Sequence, residues 1–184
     1  MATKEEKKYT DYVDDHCRRV LDGYYKYGKQ ILDVMGNKSL DTELLQRCMN
    51  HDKSKFDPVE FIGYRMHYNP ENGEDPALAE KNFDKAWLHH ENFNDHHPEY
   101  WIQRDVNEER KDPSQPILMI YRAIEMDKIS LAEMFCDWIG VGSKCGSNPA
   151  KWMNMQDLYY QKIMHPSTYI LANKIIDKIW RNKK

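Results

Sequence analysis

The sequence predicts an all-α protein, and three observations carry that expectation. Apolar residues recur at i, i+3, i+4, i+7 and i+8 over Leu131, Met134, Phe135, Trp138 and Ile139, the spacing of one buried helix face. Asp-Pro and Gly-Asn pairs stand where such periodic stretches begin and end. No alternating apolar–polar run of useful strand length stands out, and there are no repeats or low-complexity tracts. At 184 residues the chain is expected to form one domain, long enough to bury a substantial core.

The first helix is expected over residues 10–35. Val13, Val20, Tyr24, Tyr27 and Ile31 lie on its inner face, and Gly36-Asn37 supplies a left-handed stop. His16, three residues after Val13 and four before Val20, falls on that face; taken alone it reads as a hydrogen-bonded core histidine. A second helix starts near Ser39 or Asp41, either of which can cap it, and buries Leu44, Leu45, Cys48 and Met49. It ends in His51-Asp52, seven residues after Leu44 and four after Cys48, so both point inward. A buried carboxylate needs a cation, and either Lys53 or Lys55 or a metal ion can supply it.

Asp57-Pro58-Val59-Glu60 reads as a capping box with proline in the first turn, opening a helix that runs to Tyr68. Residues 69–76 form a polar loop, and Asp75-Pro76 opens a further helix through Phe83, Ala86, Trp87 and His90. Asn92, Asn94 and Asp95 break it; Asp95 then caps a new start, with Pro98 in its first turn and Tyr100 and Trp101 packed inward. Residues 104–115 are a charged connection. Ser114 and Pro116 lead a helix containing Ile117, Leu118, Ile120, Tyr121 and Ile124. The helix of residues 131–139 follows, stopped by Gly140-Val141-Gly142, and two more helical segments close the chain.

A net charge of −3 gives no electrostatic reason to expect nucleic acid or an anionic membrane as partner. Cys17, Cys48, Cys136 and Cys145 form no CxxC pair, which fits free thiols in a reducing, cytoplasmic setting. The charged N-terminus leads into no apolar region, so no signal peptide is expected. Nor does any run reach the roughly 18 apolar residues of a membrane span. Homo-oligomer formation is left open by the sequence.

Five of the eight histidines, His51, His89, His90, His96 and His97, crowd into residues 51–55 and 86–101 beside carboxylates. Neutral imidazole and ionised carboxylate are the usual nitrogen and oxygen ligands of zinc, manganese and iron. Whether the helix breaks after His90 or continues, one of His89 and His90 meets one of His96 and His97.

The order His16, His51-Asp52, His89/His90, His96/His97, Asp137 resembles the HD-domain superfamily of metal-dependent phosphohydrolases. The resemblance implies an HD-like helical core over about residues 10–142 and a C-terminal helical extension over about 150–181. It also implies a divalent metal ion (Mn, Zn, Fe, Mg or Co) held by His16, His51, Asp52 and Asp137, with His90 and His97 as further ligands to one or two ions. His51-Asp52-Lys53-Ser54-Lys55 is similar to the HDxGK variant with serine for glycine, which implies that Lys55 reaches substrate phosphate and acts with Asp52 in catalysis. His89 and His96 are implied as substrate contacts. The chain looks closer still to small HD-like proteins of bacteria and their phages, which share the HDxSKF, NxHHPEYW and EMxCDW segments found here at 51–56, 94–101 and 133–138.

The function so implied is hydrolysis of a small nucleotide-like phosphate ester through a metal-activated water. A di-iron oxygenase on the same fold is the alternative, as is a non-catalytic interaction protein with a structural metal site. His90 and His97 stand seven residues apart, far closer than the middle histidines of binuclear members. That departure leaves open whether these histidines hold a second ion, bind phosphate or orient other ligands. Glu133 is read as a helix-surface contact in preference to a hydrogen-bond partner of a ligand histidine.

Overall fold

A computed structural model describes residues 2–106 and 119–181. The first helix starts before its apolar stripe because Thr3 caps it. The Thr3 hydroxyl accepts from the Glu6 amide at 3.1 Å, and the Glu6 carboxylate accepts from the Thr3 amide at 2.7 Å. Helix α1 (Lys4–Gly23) passes through a π turn at Tyr24–Gly28 into α2 (Lys29–Met35), which ends at Gly36 with φ 70° as expected. A 3-10 turn, Lys38–Leu40, leads into α3 (Asp41–Met49) with no side-chain cap; the Asp41 carboxylate instead accepts from the Tyr24 hydroxyl at 3.0 Å. Leu44 and Cys48 are buried as expected, but Met49 is exposed, lying beyond the inward face.

Helices α4 (Pro58–Tyr68) and α5 (Pro76–Phe93) follow, the second capped by Asp75, which accepts from the Ala77 amide at 3.0 Å. The capping box expected at Asp57 is not made: Asp57 holds the cap position without a side-chain bond, and Glu60 turns toward α5. After α5, His97 rather than Asp95 precedes the short 3-10 turn Pro98–Trp101. Tyr100 is 44 % exposed there, contrary to expectation, while the Trp101 indole donates to the Asp95 carbonyl at 2.6 Å.

Strands β1 (Ile102–Val106) and β2 (Met119–Ala123) pair antiparallel, with Ile102 opposite Ala123 and Val106 opposite Met119. This corrects the expected helix through Ile120 and Tyr121. A short apolar run has no decisive period, and here its backbone groups are satisfied by a partner strand. Ser114, Pro116, Ile117 and Leu118 lie outside the described residues.

Helix α6 (Lys128–Cys145) runs past Gly140 and Gly142 to Gly146, where φ is 67°. Gly140 serves packing instead of termination, since a Cβ there would lie 2.9 Å from both the amide nitrogen and Cγ2 of Val20 on α1. Three helices then close the described chain, one more than expected: α7 (Pro149–Met155), α8 (Asp157–Ile163) and α9 (Pro166–Ile176).

The larger core cluster joins Val20, Ile31, Leu44, Leu131 and Phe135 to Met153, Ile175 and Ile176, so the C-terminal helices share one interior with α1–α3 and α6. A smaller cluster of Tyr9, Val13, Tyr64 and Ala86 ties α1 to α4 and α5. His16 stands on α1 between Val13 of the smaller cluster and Val20 of the larger, so a polar residue faces inward where the two clusters meet. Among the described residues no helix is long and apolar enough to cross a membrane.

Close approach of α4 and α5 depends on Gly63, where a Cβ would stand 2.6 Å from the Ala86 Cβ and 2.8 Å from the Asn82 carbonyl carbon. Gly63→Ala is therefore expected to lower stability by about 1–3 kcal/mol through overpacking. Urea denaturation measures this, and an unchanged midpoint would show that α4 can shift without loss.

Candidate metal centre

Five segments converge on Asp52. Helix α1 supplies His16, the turn after α3 supplies His51 and Asp52, α5 supplies His90, the turn after α5 His96 and His97, and α6 Asp137. Asp52 has φ 55°, the one left-handed non-glycine residue among those described. That conformation costs on the order of 1 kcal/mol. It turns the chain sharply from α3 into the 3-10 turn Lys53–Phe56.

Only 3 % of Asp52 is exposed. Its Oδ2 lies 2.6 Å from Lys55 Nζ and 3.4 Å from His16 Nε2. Its Oδ1 lies 3.6 Å from His51 Nε2, 3.5 Å from His90 Nε2 and 3.6 Å from His96 Nε2. Asp137 Oδ1 lies 3.2 Å from His16 Nε2 and 3.6 Å from His51 Nε2. Most of these separations are too long for good hydrogen bonds. They match the spacing of two ligands on a common ion, because atoms each about 2.1 Å from a tetrahedral centre stand about 3.4 Å apart.

Three buried atoms, His51 Nε2, Asp52 Oδ1 and His96 Nε2, have no hydrogen-bond partner. An unsatisfied buried polar atom costs about 1–3 kcal/mol, so a cluster of three facing one another calls for a cation among them. The donor set fits a divalent ion. His16, His51 and Asp137 form one group of ligand atoms within 4.8 Å, and His90, His96 and His97 form another. Asp52 faces both.

Carboxylates behind the ring orient the histidines. The Nδ1 of His51 lies 2.9 Å from Glu133 Oε1, and the Nδ1 of His90 lies 2.8 Å from Glu60 Oε2. A carboxylate at Nδ1 fixes the proton there and leaves the Nε2 lone pair turned inward. Glu133 is in turn held by Arg47, whose Nε donates to its Oε2 at 2.6 Å and whose guanidinium also pairs with Asp95.

Charge divides the two groups. Burial opposes the imidazolium of His51, but Asp52, Asp137 and Glu133 outweigh it and hold its pKa well above the ordinary value. His16 is raised in the same way, burial being overcome by Asp137 and Asp52. Asp52 and Asp137 lie well below the carboxylate range, their burial overcome chiefly by His51 and His16 respectively, with Lys55 adding to the effect at Asp52. His96 goes the other way, pushed far down by burial and by His51, and His97 is pushed down to about 4 by burial and His90.

A family model described as "Family of unknown function (DUF5662)" matches residues 5–178. The chain belongs to this family. No curated protein and no solved structure matches it. The DUF5662 match runs from α1 into the turn after α9, so the C-terminal helices fall within the family's extent along with His16 and Asp137.

Six residues expected as metal ligands, His16, His51, Asp52, His90, His97 and Asp137, are brought together, and Lys55 contacts Asp52. His96, expected at substrate, lies inside the ligand groups. His89 is turned away, its Nδ1 2.7 Å from Glu60 Oε1 and its ring stacked on Phe93. Glu133, read as a surface contact, is 4 % exposed and bonded to His51; standing one turn before Asp137, it shares that residue's face. Glu60 and Arg47 were not visible as site residues, because their partners come from other helices.

Ligation needs imidazole nitrogens free of protons, and neighbouring carboxylates raise the pKa of His16 and His51, so metal uptake is expected to displace protons. Zinc added to metal-free protein at pH 7 is expected to release protons, and affinity is expected to fall as pH drops. Titration calorimetry in two buffers of different ionisation enthalpy reads this directly; identical heats in both would contradict it.

Proposed function

We propose that this chain is a metal-dependent phosphohydrolase acting on a nucleotide-like phosphate ester. The observation that supports this reading is the Asp52 carboxylate between two histidine groups, with unpartnered buried atoms of His51, His96 and Asp52 itself facing one another. On this reading His16, His51, Asp52 and Asp137 hold one divalent ion, and Asp52 with His90, His96 and His97 holds a second. A bound divalent ion would lower the pKa of a water from about 15.7 toward about 7 and neutralise charge on a phosphoryl oxygen.

The remaining chemistry belongs to the chain. Asp52, kept ionised by His51 and Lys55, joins the two halves of the site. Lys55 is partly buried and kept charged against burial by Asp52, so its ammonium is available to a phosphoryl oxygen gaining negative charge. Glu133 and Glu60 hold protons at the Nδ1 atoms of His51 and His90, which keeps both rings aimed at the centre. The shared carboxylate equally suits a di-iron oxygenase. Iron-to-oxygen absorption bands in protein purified from iron-replete cells would favour that second reading.

Elemental analysis followed by a phosphatase screen with the metal found tests the proposal, and protein without stoichiometric metal would sink it. Asp137→Ala is expected to lose metal and at least about 100-fold in kcat while keeping its helical circular dichroism; retained metal would mean another residue is the ligand. Glu60→Gln is expected to weaken metal binding about 10–100-fold without unfolding the protein, read by competition with a chromogenic chelator.

A further inference from the structure

A cleft of about 330 Å³ opens beside the candidate metal centre, with His96, His97 and Asp137 in its lining. Much of the remaining wall is aromatic: Trp87 of α5, Trp138 of α6, Trp152 of α7, and Tyr159 and Tyr160 of α8. Contacts among these side chains fix the wall. The ring centres of Trp138 and Tyr160 are 5.0 Å apart, the Trp152 indole donates to the Tyr160 hydroxyl at 2.8 Å, and the Tyr159 hydroxyl bonds the Glu99 carboxylate. Trp87 and Tyr159 are nonetheless 42 % and 43 % exposed, so ring surface remains open to a ligand.

The charge of this wall is as informative as its shape. Glu99 and Asp137 line it, and no lysine or arginine does. A polyphosphate chain lying along it would bring further negative charges past the Glu99 carboxylate with no lysine or arginine in the lining to meet them. A flat neutral ring system would meet π faces on several sides. The volume stands at the lower end of small-molecule sites, about 300–1,000 Å³, which suits one nucleoside and not an oligonucleotide.

We infer that this cleft selects a phosphate monoester of a flat aromatic group, a nucleoside or aryl monophosphate, with its single phosphate at the Asp52 centre and its ring against the wall built by α5, α6 and α7–α8. The assignment of the phosphate rests on the phosphohydrolase reading; the assignment of the ring rests on the wall alone. It gives α7 and α8 a role in the site, because Trp152, Tyr159 and Tyr160 supply three of the five aromatic residues that line the cleft.

The test uses the full-length, metal-loaded protein with adenosine 5′-monophosphate, glycerol 2-phosphate and ATP. The monophosphate is expected to have kcat/KM about tenfold or more above each of the others. Trp87→Ala and Tyr159→Ala lie on different helices, and each is expected to lower the ratio of adenosine monophosphate to glycerol phosphate turnover about fivefold, through KM. Equal turnover of the two monoesters, preference for ATP, or an unmoved ratio in both variants would overturn the cleft assignment and leave the hydrolase standing. Should no ester be turned over, the hydrolase reading fails and tryptophan fluorescence decides the cleft. Saturable quenching by adenosine monophosphate, weakened in Tyr159→Ala, would uphold it, and the absence of saturable quenching would overturn it.

Discussion

A carboxylate removed from water, as Asp52 is, must be met by positive charge or hydrogen-bond donors from every direction in which it is open. One lysine reaches Oδ2, yet Oδ1 is faced by three imidazole nitrogens at 3.5–3.6 Å with no direct bond. The arrangement leaves one oxygen directly paired and the other facing imidazole nitrogens at the spacing that ligands of a common ion would have. Much of the surrounding structure follows from that demand. Asp52 accepts a left-handed backbone, His16 and Asp137 are turned in from otherwise apolar helix faces, and two further acids stand behind the ring.

Such a polar centre cannot sit inside a single apolar core, and it does not. The larger cluster lies to one side and the smaller to the other, with α1 contributing to both. Close packing keeps the gap between them narrow. Gly140 lets α6 lie against α1, so Asp137 reaches His16, and Gly63 lets α4 lie against α5, so Glu60 reaches His90. The glycines set distances that side chains then use.

The helical fold and the inner ring were largely legible in the sequence, for a local reason. His16 sits on an apolar stripe, and the 3.6-residue period alone turns it inward; Asp137 stands beside the stripe of α6 and was marked by its place in the order of the resemblance. The supporting shell was not legible. Glu60 carries a good local explanation as a helix cap, and nothing within α4 reveals that its partners are on α5. Arg47 is similar, because its bonds go to Glu133 and Asp95, 86 and 48 residues away. The hairpin escaped for the same reason: Met119–Ala123 is a strand only because Ile102–Val106 lies beside it. In the run of four histidines the sequence determined that some must meet, but His96 rather than His89 faces Asp52, because the chain leaves its helix at Asn94.

Tyr160 belongs to two structures at once. It is a buried member of the larger core cluster, and it lines the aromatic cleft beside the ligand groups. The cleft has no wall of its own on that side; it borrows the outer face of the hydrophobic interior. Its width is therefore tied to the packing of the cluster Tyr160 belongs to, which also holds Met153, Ala172 and Ile176. Changes in the core of the C-terminal helices would be felt as changes in which molecules fit, so packing and selectivity in this fold would have to vary together.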